Sequence, residues 1–111
     1  MQIDRDSTEF LFFGVTGDVP STSAEVALLA AATRPTAPDW HTATLVPDSG
    51  HALWADAVAS GVTGDYYVAI LVGSFGGGTF TVTQGDYVAW LRLTDTTEQP
   101  VRIAPEAVTV L

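Results

Sequence analysis

The chain has 111 residues, 47% of them hydrophobic and 15% charged, with a formal net charge of −9. This length accommodates one hydrophobic core, so we predict a single domain over residues 1–111. Four cationic side chains face thirteen carboxylates, which argues against binding to nucleic acid or anionic membranes, because both require clustered cations. Cysteine is absent, so neither disulfides nor thiolate chemistry is available.

Short apolar runs, divided by Gly, Pro, Asp and Thr, make up the first half of the chain. A strand is predicted over 9–15 and a second over 24–32, where alanines permit a helix but the short span between two prolines favours a strand. A third is predicted over 39–46, which is rich in β-branched and aromatic residues. The segment 51–59 is ambiguous, and we predict irregular structure or one helical turn there.

The second half carries the more regular strand patterns. Residues 65–72 are apolar on both faces, as expected of a strand that is covered on both sides. Residues 79–93 alternate around 84–86, which predicts a β-hairpin with a tight turn. A last strand is predicted over 101–111, interrupted near Pro105. About seven short strands in this length predict an all-β fold, an immunoglobulin-like antiparallel β-sandwich.

Residues that could support catalysis or metal binding do not form a motif. The histidines, His41 and His51, are ten residues apart without cysteine nearby, which does not match a zinc site. No motif selects a carboxylate pair from the thirteen for acid–base chemistry. Gly76, Gly77 and Gly78 lack the following lysine and helix of a phosphate-binding loop. We therefore predict a binding or structural protein without a cofactor, not an enzyme.

The three tryptophans are the main candidates for contacts. We expect Trp40 and Trp90 to pack in the core, because each lies in a predicted strand. Trp54 lies in the ambiguous segment beside His51. Aromatic anchors of this kind dominate protein interfaces, so Trp54 and His51 are the predicted interface residues.

The C-terminal third carries a family resemblance. Its stretches are GDYVAWLRLTD at 85–95 and EQPVR at 98–102, and the segments 9–15 and 39–43 add weaker similarity. Together they resemble small immunoglobulin-like virion proteins, head decoration or head-to-tail components, of tailed phages that infect actinobacteria. At Ala104 and Pro105 the sequence departs from the family, where a glycine is expected before the last strand.

The resemblance implies a phage virion structural protein that decorates the capsid or lies at the head-to-tail junction, assembled in the host cytoplasm. It implies no catalytic residues. The expected partners are the major capsid protein or neck and tail proteins, with self-association on a symmetric lattice. Two alternatives remain open: a tail or baseplate adaptor domain, and a bacterial carbohydrate-binding β-sandwich module.

Overall fold

The computed structural model describes residues 1–75 and 80–111, and it is all-β, as the sequence predicts. A 3-10 helix at Ala37–Asp39 and one short α-helix accompany the strands. The elements in chain order are β1 (Gln2–Ile3), β2 (Glu9–Val15), β3 (Ser23–Leu29), β4 (His41–Val46), α1 (Trp54–Ala59), β5 (Tyr66–Val72), β6 (Gly85–Thr94) and β7 (Val101–Val110).

The seven strands form one mixed sheet that is nearly closed into a barrel, in the order β1-β7-β6-β3-β4-β5-β2. All neighbouring pairs are antiparallel except β1 and β7, which are parallel, with Gln2 opposite Thr109. Strand β4 pairs with β3 through its first half and with β5 through its second half. The chain therefore bends from one part of the sheet to the other within β4.

Alternate residues of the strands fill the barrel interior, as the two-residue period of a strand requires. The fully buried side chains include Phe13, Val26, Tyr66 and Ile70, and each such apolar side chain stabilises the fold by about 1.5–3 kcal/mol relative to exposure. The core cluster comprises Ile3, Leu11, Phe13, Val15, Ala24, Val26, Leu28, Tyr66, Val68, Ile70, Val72, Ala89, Leu91, Leu93, Ala104, Val108 and Val110.

A second, smaller core lies on the outer face of β2, β4 and β5, beneath α1. Its buried members are Phe12, Val46, Ala57, Tyr67 and Ala69. Strands β2 and β5 are thus covered on both faces, which explains why 65–72 reads as a continuous apolar run. The prediction of a doubly covered strand there is confirmed.

Several strand predictions are confirmed, and the hairpin prediction is wrong. Strand β2 matches its predicted segment, β3 ends three residues before the predicted end, and β4 begins two residues after the predicted start. In 51–59 the helical alternative is confirmed, because α1 forms there. Strand β6 begins at Gly85, inside the predicted turn, and pairs with β3 and β7. Phe80 makes only a single parallel bridge, with Val72, and Thr79 lies outside the described residues. The alternation in 79–83 did not decide the pairing, because β3 and β7 are long apolar strands that pair with the two edges of β6.

The last strand runs as predicted, with an irregularity near Pro105. The β6–β7 register shifts between Val88, opposite Ala107, and Trp90, opposite Ile103. Two extra residues of β7 are accommodated in this bulge. It contains Ala104 and Pro105.

Candidate binding surfaces

Of the predicted interface residues, Trp54 begins α1 and His51 lies in the loop before it. The His51 ring nitrogen Nδ1 accepts a hydrogen bond from the Leu53 backbone at 3.0 Å, and the His51 carbonyl accepts one from the Trp54 backbone at 3.1 Å. The Trp54 ring contacts Tyr67 edge-on, with 4.9 Å between ring centroids. Trp54 is therefore partly buried and anchors α1 to the sheet, and its role in an interface stays a prediction.

A different outer face, on β3 and β6, carries two arginine–tryptophan contacts. The Arg92 guanidinium lies 4.6 Å from the centre of the Trp40 ring and forms two hydrogen bonds with the Glu25 carboxylate, at 2.7 and 2.9 Å. The Arg34 guanidinium lies 5.2 Å from the Trp90 ring. Such contacts are favourable because the cation faces the electron-rich ring.

The expectation that Trp40 packs in the core is wrong, whereas Trp90 is buried. Trp40 is only half-buried and belongs to neither core cluster. Trp90 is 9% exposed, but it lies on the outer face, since its neighbours Ala89 and Leu91 point inward. Its indole nitrogen is buried and has no hydrogen-bond partner in the part of the chain that the structure describes.

Large apolar side chains are exposed next to Trp90. Ile103 lies opposite Trp90 in the β6–β7 ladder and is 57% exposed, and Val101 is 44% exposed. Both residues belong to the outer face of β7, where no helix or loop of residues 1–75 and 80–111 covers them as α1 covers β5. Exposed apolar groups beside buried aromatic residues are typical of interaction surfaces.

Strands β2 and β7 face each other across the opening of the barrel, which we call the β2–β7 gap. No backbone ladder joins the two strands in the described residues. Side chains bridge them instead: the Gly14 N–H donates to Glu106 Oε1 at 3.4 Å, and Arg102 Nη1 donates to the Thr16 carbonyl at 3.3 Å. The second Glu106 oxygen, Oε2, is buried without a partner among the same residues.

Two grooves run along this gap. A groove of about 370 Å³ lies between residues 14–16 and 102–105 and reaches the core residue Leu91. A wider one of about 620 Å³ lies between Met1–Gln2, the loop 60–63 and Pro105–Glu106. Thr63 and Pro105 line both grooves, so the two grooves lie side by side along the gap.

The barrel end near the β6–β7 turn is polar. A cavity of about 250 Å³ there is lined by Tyr66, Arg102, Asp95 and other side chains. Burial raises the pKa of the Tyr66 hydroxyl, and the charge of Arg102 opposes that shift. Hydrogen bonds from the Ser21 hydroxyl and the Thr96 backbone lower the pKa of Asp95. These contacts secure the β6–β7 turn.

The structure does not bring the two histidines into a common site. His41 stacks on the Phe80 ring, with 3.9 Å between centroids, whereas His51 is in the loop before α1. Within residues 1–75 and 80–111, no group of three or more metal-binding side chains is assembled. The glycines 76–78 considered as a phosphate loop lie outside the described residues. No helix in the described part is long and apolar enough to cross a membrane.

The sequence reasoning missed the roles of the arginines and of Glu106. Arg92 pairs with Glu25 and Arg34 lies over Trp90, while Arg102 bridges the gap and Arg5 donates to Gln84 at 3.1 Å. Alternation in β3 and β6 places Glu25 and Arg92 on outer faces, so that pair had a detectable signal. The contacts of Arg102 and Glu106 depend on barrel closure and had none.

The fold and its surfaces define a small all-β domain with a mixed, nearly closed sheet and an open strand edge. Comparison with family models, with curated proteins and with solved structures gave no match.

Proposed function

We propose that the chain is a non-enzymatic protein-binding module and, specifically, a phage virion structural protein on the capsid or at the head-to-tail junction. The sequence resemblance supports the virion role. The outer face of β6 and β7, which combines Trp90 with exposed Val101 and Ile103, supports the binding role. Such an apolar patch on a small domain is typical of a surface that a partner covers.

The observation that carries the proposal is where the resemblance lies in the fold. The residues 85–94 form β6, and 95 together with 98–102 belongs to the turn and the start of β7. The similar sequence therefore makes one antiparallel hairpin, and the exposed apolar residues belong to it. A hairpin that supplies both the core ladder and the exposed patch fits a module that is built around a single contact surface.

We extend the proposal to an immunoglobulin-like origin for the fold. Strand β4 pairs with β3 through residues 41–43 and with β5 through residues 44–46. A strand that changes partners in this way is how sandwich sheets are joined at a corner. The part β1-β7-β6-β3 then corresponds to one sheet and β5-β2 to the other, with the interior cluster between them.

The arrangement of the tryptophans favours a protein partner over a carbohydrate. A sugar-binding module needs an open, flat aromatic platform, but the Trp40 and Trp90 rings each carry a guanidinium over one face. Trp54 contacts Tyr67 edge-on. A tail or baseplate adaptor would use the same hairpin surface, and copy number separates it from a decoration protein.

Quantitative mass spectrometry of purified virions, with the major capsid protein as internal standard, tests the proposal. A capsid decoration protein is expected at hundreds of copies per particle, whereas a neck or tail component is expected at about six to twelve, following ring symmetry. Absence of the chain from virions purified from a producing culture would contradict the virion role.

A further inference from the structure

At one end of the β2–β7 gap, the edge of β7 is already paired with a strand. Strand β1 lies on the edge of β7 there: the Thr109 N–H donates to the Met1 carbonyl at 2.8 Å and the Leu111 N–H to the Ile3 carbonyl at 2.9 Å. Ile3 is buried in the core cluster. Strand β1 covers only two residues of β7, and in the described chain no strand continues its line.

Both edges along the remaining gap direct backbone groups into it. The N–H groups of Thr109 and Leu111 point toward β1. Before the bulge, the bond from the Leu93 N–H to the Pro100 carbonyl directs the even-numbered residues of β7 toward β6, so the backbone groups of Val101 and Ile103 point away from β6. On the opposite edge, Gly14 directs its N–H toward β7. An extended segment would therefore find donors and acceptors on both sides.

The side chains of Glu106 and Arg102 now form hydrogen bonds where the backbone of an added strand would form them. The bonds from Gly14 to Glu106 and from Arg102 to Thr16, at 3.4 and 3.3 Å, are longer than the usual 2.7–3.2 Å of N–H···O bonds. Cα atoms of β2 and β7 approach within 8 Å, closer than the roughly 9.6 Å that an intervening strand needs. Binding would thus displace these side chains and widen the gap.

We propose that the β2–β7 gap accepts an extended segment of a partner protein, which adds a strand in line with β1 and carries a lysine or arginine that pairs with Glu106. This inference rests on the proposed binding function and names its contact. A basic residue is favoured because Glu106 Oε2 is buried without a hydrogen-bond partner among the described residues and because the net charge of the chain is −9. Strand addition of this kind takes its affinity from main-chain hydrogen bonds.

The same charge disfavours a second copy as the occupant, because two chains of charge −9 repel each other. Pro105 has no N–H, so the incoming strand finds no donor at that position of the β7 edge. The exposed Val101 and Ile103 would flank apolar side chains of the incoming strand on the outer face. The preferred segment therefore alternates apolar residues with basic ones.

A labelled probe peptide, acetyl-Thr-Val-Lys-Val-Thr-Val-Lys-Val-Thr, tests the site by fluorescence anisotropy. We expect saturable binding, with at least about tenfold weaker binding of the same peptide when its central residue is proline, because the ladder is interrupted. Ile103→Pro in the protein should weaken binding by at least about tenfold, while Ile103→Thr, which keeps the N–H, should change it less than about threefold.

Two further measurements make the test specific. Glu106→Gln keeps an acceptor for Gly14 and should weaken binding of the lysine peptide about five- to tenfold. Peptide binding should also slow amide exchange at Ile103 by at least about tenfold. Ile103→Pro should still fold, since Pro105 is tolerated on the same edge of β7, and thermal unfolding of the free variant checks this.

The proposal is overturned by equal binding of the proline peptide, by undiminished binding to Ile103→Pro, or by no saturable binding at all. If the protein sediments as a dimer and Ile103→Pro sediments as a monomer, the gap binds a second copy of the chain. That result would contradict the proposal of a basic partner. Virion association is measured separately. If Ile103→Pro still joins virions, the strand site is wrong and the virion role stands. If the peptide binds but virions lack the chain, the strand site stands and the virion role is wrong.

Discussion

The two outer faces of the barrel are covered in different ways. On β2, β4 and β5, the chain itself supplies a lid, because α1 places Ala57 and Trp54 on Phe12 and Tyr67. On β3, β6 and β7, the cover consists of single side chains, with Arg34 and Arg92 over the two tryptophan rings. Ile103 and Val101 beyond them remain exposed.

We relate the helix-covered face to stability and the face covered by single side chains to recognition. The first face is a small second core, in which Phe12 and Tyr67 are buried beneath α1, and Phe10 beside it on β2 is 36% exposed. The second face holds its aromatic residues with solvated charges, which contribute less to stability than apolar burial does. Its cover is therefore weak, and under the proposed binding function a partner would exchange contacts with it at low cost. The following predictions set the two faces against each other.

The largest effect is expected from Gly14→Ala on the helix-covered side. A Cβ at this position would lie 2.0 Å from the Thr63 carbonyl oxygen, and backbone cannot move away as a side chain can. We expect the free energy of unfolding to fall by about 3 kcal/mol or more, measured by urea titration. Gly50→Ala is the matched control, because its Cβ would meet only the movable Asp48 carboxylate. Similar values for both would contradict a tight packing of the loop on β2.

Trp54→Ala tests the lid itself. Removing the ring from Tyr67 and its cluster should lower the free energy of unfolding by about 2–3 kcal/mol, less than for a fully buried tryptophan. Val58→Ala on the same helix, at a residue 53% exposed, should cost less than about 0.5 kcal/mol. Trp54→Phe retains an apolar ring on Tyr67 and is the variant with which to test the predicted interface role. A stability loss near zero for Trp54→Ala would show that α1 is not held by this contact.

Arg92 tests the side-chain cover of the other face. Arg92→Lys keeps the charge but loses the two-pronged contact with Glu25 and the planar stacking on Trp40. We expect a loss of about 1 kcal/mol in the free energy of unfolding, smaller than for Trp54→Ala, since both charged partners are partly solvated. A double-mutant cycle with Glu25→Gln should give a coupling of about 0.5–1 kcal/mol that decreases in 0.5 M salt. A coupling of zero would assign the effect of Arg92 to Trp40 alone.

The sequence predicted what depends on local pattern. The strands β2 to β5 follow from apolar runs and β-branched residues, and Pro105 marked the irregularity in β7. The hairpin prediction failed because alternation in 80–83 indicates a strand, whereas these residues form no strand and Phe80 makes an isolated bridge with Val72. The partner of β6 is fixed by contacts between residues far apart in the chain, such as Leu91 with Val26 and Arg102.

The candidate site was predictable only in part. Trp54 was expected at an interface because its segment was ambiguous, yet helix α1 turns the ring toward Tyr67. The β2–β7 gap has no local signal, since Gly14 and Glu106 are separated by 92 residues. Its position depends on how far the sheet closes, a property of all seven strands together. The exposed Ile103, by contrast, follows from alternation once Ala104 is known to point inward.

The smallest effect is expected in the turn that joins β6 to β7. Like the outer face of β3, β6 and β7, this turn is held by polar contacts. The Ser21 hydroxyl and the Thr96 backbone donate to Asp95 and hold the pKa of its carboxyl below the ordinary value of 3.8. A lowered folded-state pKa contributes stability that is present above the unfolded-state value and is lost as the pH falls through the folded-state value.

The difference in unfolding free energy between wild type and Asp95→Asn should therefore be constant above about pH 5 and shrink below about pH 4. Ser21→Ala removes the largest cause of the shift and should shrink the same pH-dependent component, leaving the double variant with no acid-dependent difference from Asp95→Asn. Urea titrations at several pH values measure this. A difference that grows on acidification would mean that the folded turn favours the protonated acid, and the turn would then not be held by charge-assisted bonds.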